Sequence, residues 1–196
     1  MRRSALVPLL LAACATTRPA PDWVPTSQSY QAPGMGFSVE LPEGWMRFNF
    51  HRSELLAISR DGPQLQRIYA GSSAVGEPVG MGRSKRVVRE GMTPQQAAEL
   101  VIDDIAATSD LTEVVVLENA PATLSGRPGF RVLTAYREDG LKVRTAVVGA
   151  IAEGRFFFLL YVAPERHYFA LDEPTFEDLV RSFRILATTP PSKPAA

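Results

Sequence analysis

Seven consecutive apolar residues, Phe156-Phe157-Phe158-Leu159-Leu160-Tyr161-Val162, constrain this chain more than any other stretch. A strand turns successive side chains to opposite faces, so a strand apolar at every position must be covered on both. The sequence therefore predicts a central strand from Arg155 to Val162, with a layer of structure on each side. The segments before it supply partners. Glu153-Gly154 separates the run from Leu141–Ala152, and Asp139-Gly140 is a hairpin turn signal. Upstream of that turn, Phe130, Val132, Thr134 and Tyr136 alternate with Arg131, Leu133 and Ala135, the period of a half-buried strand. Thr112–Leu117 and Ala122–Leu124 read as two further strands, the second ending at the Ser125-Gly126-Arg127-Pro128 turn.

The first half of the chain is also β-rich. Phe37, Val39 and Leu41 alternate with Ser38 and Glu40, and Pro42-Glu43-Gly44 makes a turn. Trp45–Phe50 follows, with Met46, Phe48 and Phe50 on one side, then Leu55–Ser59 and Gln64–Ala70. Gly71 to Gly82 shows no pattern and reads as a flexible loop. A helix begins at Thr93, where Pro94 suits the first turn and Gln96 completes a Thr-x-x-Gln capping box. Its stripe is Ala98, Val101, Ile102 and Ile105. A closing helix begins near Asp172–Pro174, with Phe176, Leu179, Val180 and Phe183 as its stripe. Two long hairpins, one inserted helix and one terminal helix define an α+β domain, an antiparallel β-sheet flanked by helices.

The opening Gly36-Phe37-Ser38-Val39-Glu40-Leu41-Pro42-Glu43-Gly44-Trp45 resembles the start of PsbP-like domains. So do the Gly-Arg-Pro-Gly-Phe turn at 126–130, the two long hairpin strands and the Phe-x-x-Leu-Val-x-Ser-Phe helix at 176–183. The resemblance covers Gly36 to Leu186. It implies an α/β/α sandwich and a role as an extrinsic assembly or stabilising subunit rather than an enzyme.

The N-terminus bears on location. Arg2 and Arg3 precede an apolar run from Ala5 to Ala13, then Cys14, the single cysteine of the chain. A basic stretch, a short apolar stretch and small residues before a cut site make a secretory signal. Leu11-Ala12-Ala13-Cys14 resembles the lipobox of bacterial lipoproteins, which implies cleavage before Cys14 and acylation of its thiol and freed amine. Two or more acyl chains anchor stably where one does not. One unpaired thiol is odd in an oxidising compartment, and acylation removes the oddity. Residues 1–13 are thus expected to be a signal peptide and 14–34, with Pro19, Pro21, Pro25 and Pro33, a lipidated spacer. Residues 35–186 are expected to form one domain and 187–196 a disordered tail. Trp23 is left to pack on the domain or sit at the headgroups. The expected location is the bacterial envelope, on the periplasmic face of the outer membrane, as Ala15 after the cysteine fits.

The full chain balances 21 basic against 21 acidic residues, and removing residues 1–13 deletes Arg2 and Arg3 and no acid. That charge gives no footprint for nucleic acid. The one basic cluster, Arg83, Lys85, Arg86 and Arg89, reads as the solvated face of a strand, with anionic headgroups as the competing reading. No catalytic set stands out. His51 and His167 are far apart in sequence, and Glu165 with His167 supplies too few metal ligands. Asp103 and Asp104 diverge on a helix. Gly76, Gly80 and Gly82 do not open a phosphate-binding helix. No cofactor, metal or catalytic residue is therefore expected, and Cys14 is the one site residue. Two functions follow: a non-enzymatic binding or assembly module for an envelope protein complex, or a carrier or sensor of a small apolar ligand or lipid held beneath Phe156–Tyr161. An exposed apolar patch favours the first, and an internal pocket the second. A buried carboxylate with a raised pKa beside His51 or His167 would reopen catalysis.

Overall fold

The computed structural model describes residues 22–49, 55–79 and 86–186. Eleven strands and two α-helices lie in these residues: β1 Trp23–Pro25, β2 Ser29–Ala32, β3 Phe37–Glu40, β4 Met46–Phe48, β5 Leu55–Ser59 and β6 Arg67–Ala74. Then come α1 Pro94–Ala106, β7 Leu111–Leu124, β8 Arg127–Glu138, β9 Leu141–Ala152, β10 Arg155–Pro164, α2 Ala170–Ser182 and β11 Arg184–Ile185. Eight strands form one sheet in the order β1-β4-β5-β6-β10-β9-β8-β7, and β11-β3-β2 form a smaller one. The neighbouring strands are antiparallel throughout.

The apolar run lies in β10, with three strands on one side of it and four on the other. Both of its faces are covered. Phe157, Leu159, Tyr161 and Ala163 pack in one core with Phe176 and Leu179 of α2 and Phe183. Phe156 and Phe158 pack in a second core with Ala97, Ala98 and Val101 of α1. The helix on each face follows from the two-sided apolar strand.

The three hairpins from β7 to β10 turn through Ser125-Gly126, Asp139-Gly140 and Glu153-Gly154. Each pair has positive φ at both residues, 50–53° at the first and 70–79° at the second. Those angles match the two-residue turns whose twist suits antiparallel strands. The capping box at α1 is also formed: Thr93 Oγ1 accepts from the Gln96 amide and Gln96 Oε1 accepts from the Thr93 amide.

Five expectations need correction. Residues 22–34, assigned to the spacer, are part of the fold. β1 pairs with β4, β2 pairs with β3, and Ala32 and Met35 are buried. Pro25 ends β1 and Pro33 opens the 3-10 turn after β2, places where a missing amide costs no ladder bond. Trp23 packs on the domain, edge-on to Phe48 with ring centroids 5.1 Å apart.

The fourth strand begins at Arg67, not Gln64, because Leu65 and Gln66 amides both close a turn on Gly62 O. It then runs through Gly71 to Ala74 along β10. The glycine taken as a loop signal marks a close approach: a Cβ there would lie 3.0 Å from both Leu55 and Phe158 side chains. The loop beyond is tied at its described ends. The Gly76 amide bonds Val88 O, the Val79 amide bonds Arg86 O, and Val79 and Val88 are buried. In place of a strand across Arg86–Arg89 there is a single bridge, Pro78 to Val87.

The two strands at 112–117 and 122–124 are one strand, β7, with register shifts between Thr112 and Val115 and between Val116 and Glu118. The bulges break the alternation and hide its continuity. Phe50, the signal peptide, Cys14 and the tail lie outside the described residues.

Gly149 of β9 lies under two rings. A Cβ at that position would come within 2.8 Å of Phe130 and 2.9 Å of Phe156, and both rings are buried. Moving packed rings costs ~1–3 kcal/mol. Gly149→Ala is therefore expected to lower the unfolding free energy by about that amount in urea titrations, while Gly140→Ala, with open space around it, should leave the α1-side packing unchanged despite its strained turn.

Candidate functional site

Most residues singled out from the sequence do not converge. Cys14, His51, Arg83 and Lys85 lie outside the described residues. Arg86 reaches across to α1, its Nη1 3.1 Å from Asp103 Oδ2, and Arg89 is exposed. Asp104 does not join that pair. Glu165 is 2.6 Å from Arg144 Nη2 and holds the turn before α2. His167 is exposed on that turn at φ 75°, ψ −64°, a strained conformation for any residue with a side chain. Among the described residues, no three His, Cys, Asp or Glu side chains gather where they would hold a metal ion.

One buried polar cluster was not read from the sequence. Asp172, in the first turn of α2, is 1% exposed. Arg60 Nη1 lies 2.9 Å from its Oδ1, and Gln66 Nε2 donates to its Oδ2 at 3.2 Å. Gln66, also buried, donates to Asp61 Oδ2 at 2.8 Å, and Arg60 Nε donates to the same oxygen at 3.1 Å. Burial pushes the Asp172 carboxyl above the usual carboxylate range, against smaller opposing contributions from Gln66, Arg60 and His167. The Gln66 and Arg60 hydrogen bonds hold the exposed Asp61 below it. Beside them, the Tyr161 hydroxyl donates to Tyr168 O and Phe169 O, and burial raises its pKa.

A buried carboxylate near His167 is the feature named above as reopening catalysis. Here the carboxylate is paired with a guanidinium and a side-chain amide. The arrangement clamps α2 onto the β5–β6 turn.

The feature that remains open to a partner is the β7 edge. Val115, Val116 and Leu117 are 53, 42 and 47% exposed, three successive apolar side chains at the rim of the large sheet. Val115 lies opposite Ala135 and Val116 opposite Thr134, so they point to opposite faces, and Leu117 sits at the second bulge. Edge strands present unpaired amides and carbonyls, and proteins blunt them. This one has two bulges, Glu113 at positive φ and Pro121 within the strand. The blunting guards against strand-on-strand aggregation and leaves the apolar side chains in water. Pro121 was the available signal, since proline inside a strand marks an edge.

Beneath Phe156–Tyr161 the buried rings pack on one another. Phe130 stacks on Phe156 and Phe156 on Phe158, and Tyr161 stacks on Phe169 and Phe176. A groove of about 530 Å³ lies elsewhere, between the β3–β4 turn and α2. Its lining includes Glu40, Pro42, Asp178, Arg181 and Arg184, a mixed and largely charged set.

The same fold occurs in proteins of very different sequence. The cyanobacterial PsbP of Synechocystis sp. PCC 6803 matches over 89% of this chain and 98% of its own, at 11% identity and TM-score 0.56. The Ran-binding protein Mog1p of Saccharomyces cerevisiae matches over 85% and 98%, also at 11% and 0.56. LpqN of Mycobacterium tuberculosis, described as involved in cell envelope biogenesis, matches over 77% and 83%, at 15% identity and TM-score 0.52. No protein-family model matches the sequence, and no curated protein matches it either. The chain thus has the antiparallel-sheet fold of PsbP and Mog1p, and the likeness extends to the fold alone.

The raised carboxyl of Asp172 has a definite sign. A carboxyl whose folded pKa lies above its unfolded value of about 4 adds stability at low pH, and that contribution is lost as pH rises through the raised value. The stability of the wild type relative to Asp172→Asn is therefore expected to fall between about pH 4 and neutrality, read from urea midpoints at each pH. A difference that grew over that window would contradict burial as the dominant cause.

Proposed function

We propose that this protein is a lipid-anchored module of the bacterial cell envelope that binds a protein partner through the β7 edge and catalyses no reaction. The observation that carries the binding part is the run Val115-Val116-Leu117, exposed at the rim of a well-packed domain. These apolar side chains lie in water on both faces of one sheet rim, which suits a partner that grips the edge. The partner surface that fits is apolar, since the nearby acids Glu113 and Glu118 are already paired with Arg137 and Arg131.

One protein sharing the fold is described as Ran-binding and another as involved in cell envelope biogenesis. By analogy of fold, the first supports a binding module and the second an envelope role. The anchor rests on Leu11-Ala12-Ala13-Cys14. No helix among the described residues is long and apolar enough to cross a membrane, so the acyl chains would supply the attachment. The outer membrane, periplasmic face, is the location that Ala15 after the cysteine favours, and the helix-flanked sandwich of PsbP-like domains is the architecture we assign to residues 22–186.

The test is crosslinking in intact cells followed by recovery of the protein. A stoichiometric protein partner is expected with the wild type and is expected to be lost with Val116→Asp, whose folded stability should change by less than about 0.5 kcal/mol because the site is exposed. The same partner recovered undiminished from Val116→Asp would contradict the docking surface. Cys14→Ser is expected to leave the membrane fraction, and its retention there would contradict the anchor.

A further inference from the structure

The place where the chain enters the fold sets how the domain meets the membrane. That geometry depends on the acylation of Cys14 proposed above. β1 is the outermost strand of the large sheet, and the Asp22 carbonyl just before it accepts from the Asn49 amide at 2.6 Å. The tether therefore ends at Asp22. Seven residues, Ala15 to Pro21, separate it from Cys14. Eight Cα steps of at most ~3.6 Å span no more than ~29 Å. The sheet is wider than that reach: seven gaps of ~4.8 Å between eight strands put β1 and β7 ~34 Å apart.

At the tethered edge sits an aromatic pair. Trp23, one residue past Asp22, lies edge-on to Phe48, and both are half-buried. On the other side of the two-strand edge, Val24 lies opposite Arg47, whose guanidinium stands 5.5 Å from the centre of the Tyr30 ring. Half-buried Trp and Tyr with an arginine stem suit the headgroup region, where one end of the side chain is apolar and the other wet.

We propose that the β1–β4 edge, with Trp23 and Phe48 at its tip, rests on the lipid headgroups of the membrane that holds the anchor. The β7 edge then faces away from the bilayer, and Val115–Leu117 are presented to a partner in the aqueous space. The order of strands in one sheet thus separates the lipid contact from the protein contact.

The chain holds two tryptophans, and the other one, Trp45, is buried. The full acylated protein is reconstituted in vesicles of phosphatidylethanolamine and phosphatidylglycerol carrying a headgroup-proximal nitroxide lipid. Flotation is read first, then fluorescence, with Trp23→Phe giving the Trp45 background. The expected result is flotation together with loss of the Trp23 emission component. Inserting roughly twenty Gly/Ser residues after Ala15 is expected to restore that emission while the protein still floats, because the averaged tether length then exceeds the headgroup layer. Protein that fails to float overturns the anchor, and this inference with it. Protein that floats with Trp23 unquenched overturns this inference alone and leaves the anchor standing. Quenching that persists through the insertion overturns tether length as the cause of the contact.

Discussion

Strand β10 shows water no side chain between Phe156 and Leu159, and its one hydroxyl in the run, that of Tyr161, is spent on two backbone carbonyls. Burying a side chain of this size is worth roughly 1.5–3 kcal/mol, and the strand has such side chains on both faces. Neither layer of the molecule is then optional. α2, Phe183 and the small sheet cover one face, and α1 with Val79 and Val88 covers the other. The long connection from β6 to β7 follows from the same demand. It carries α1 across one face and delivers β7 to the far edge, which leaves β7 with one strand neighbour instead of two.

That demand explains where polar groups are found inside. Asp172, Gln66 and Tyr161 line the junction at which α2 meets the sheet, and each has a partner in the fold. Arg131 performs a related task on the same N-terminal half of α2, with Glu118 of β7 and Glu173 and Glu177 of α2 within 3.4 Å. One guanidinium thus ties the edge strand, its neighbour and the helix. Both groups position α2 and hold two layers on one sheet.

The parts of this architecture that depend on local rules were legible in the sequence. Two-residue turns at Asp139-Gly140 and Glu153-Gly154, the Thr93–Gln96 cap and the helical stripes are each set by residues close together in the chain. Burial on both faces of Phe156–Val162 is a local pattern too. What escaped depends on distant partners. Trp23–Pro25 reads as a proline-rich spacer because three residues carry no period, and only pairing with Met46–Phe48 makes them a strand. Gly71 reads as a loop because the ring that needs its missing Cβ, Phe158, is far along the chain. The exposure of Val115–Leu117 is hidden in a Val-rich run that looks like core. Asp172 reads as a helix-start acid, which it is, and nothing nearby announces Arg60 and Gln66. The lipobox is legible as a motif, and its site at Cys14 lies outside the described residues.

The central claim is that one sheet turns opposite edges to a membrane and to a protein. A photoreactive amino acid placed in living cells at Val24 in one strain and at Val116 in another tests it most directly, since both side chains sit at the outer strands. The account predicts lipid adducts from position 24 and a discrete protein adduct from position 116. A protein adduct from position 24 with none from position 116 would contradict it.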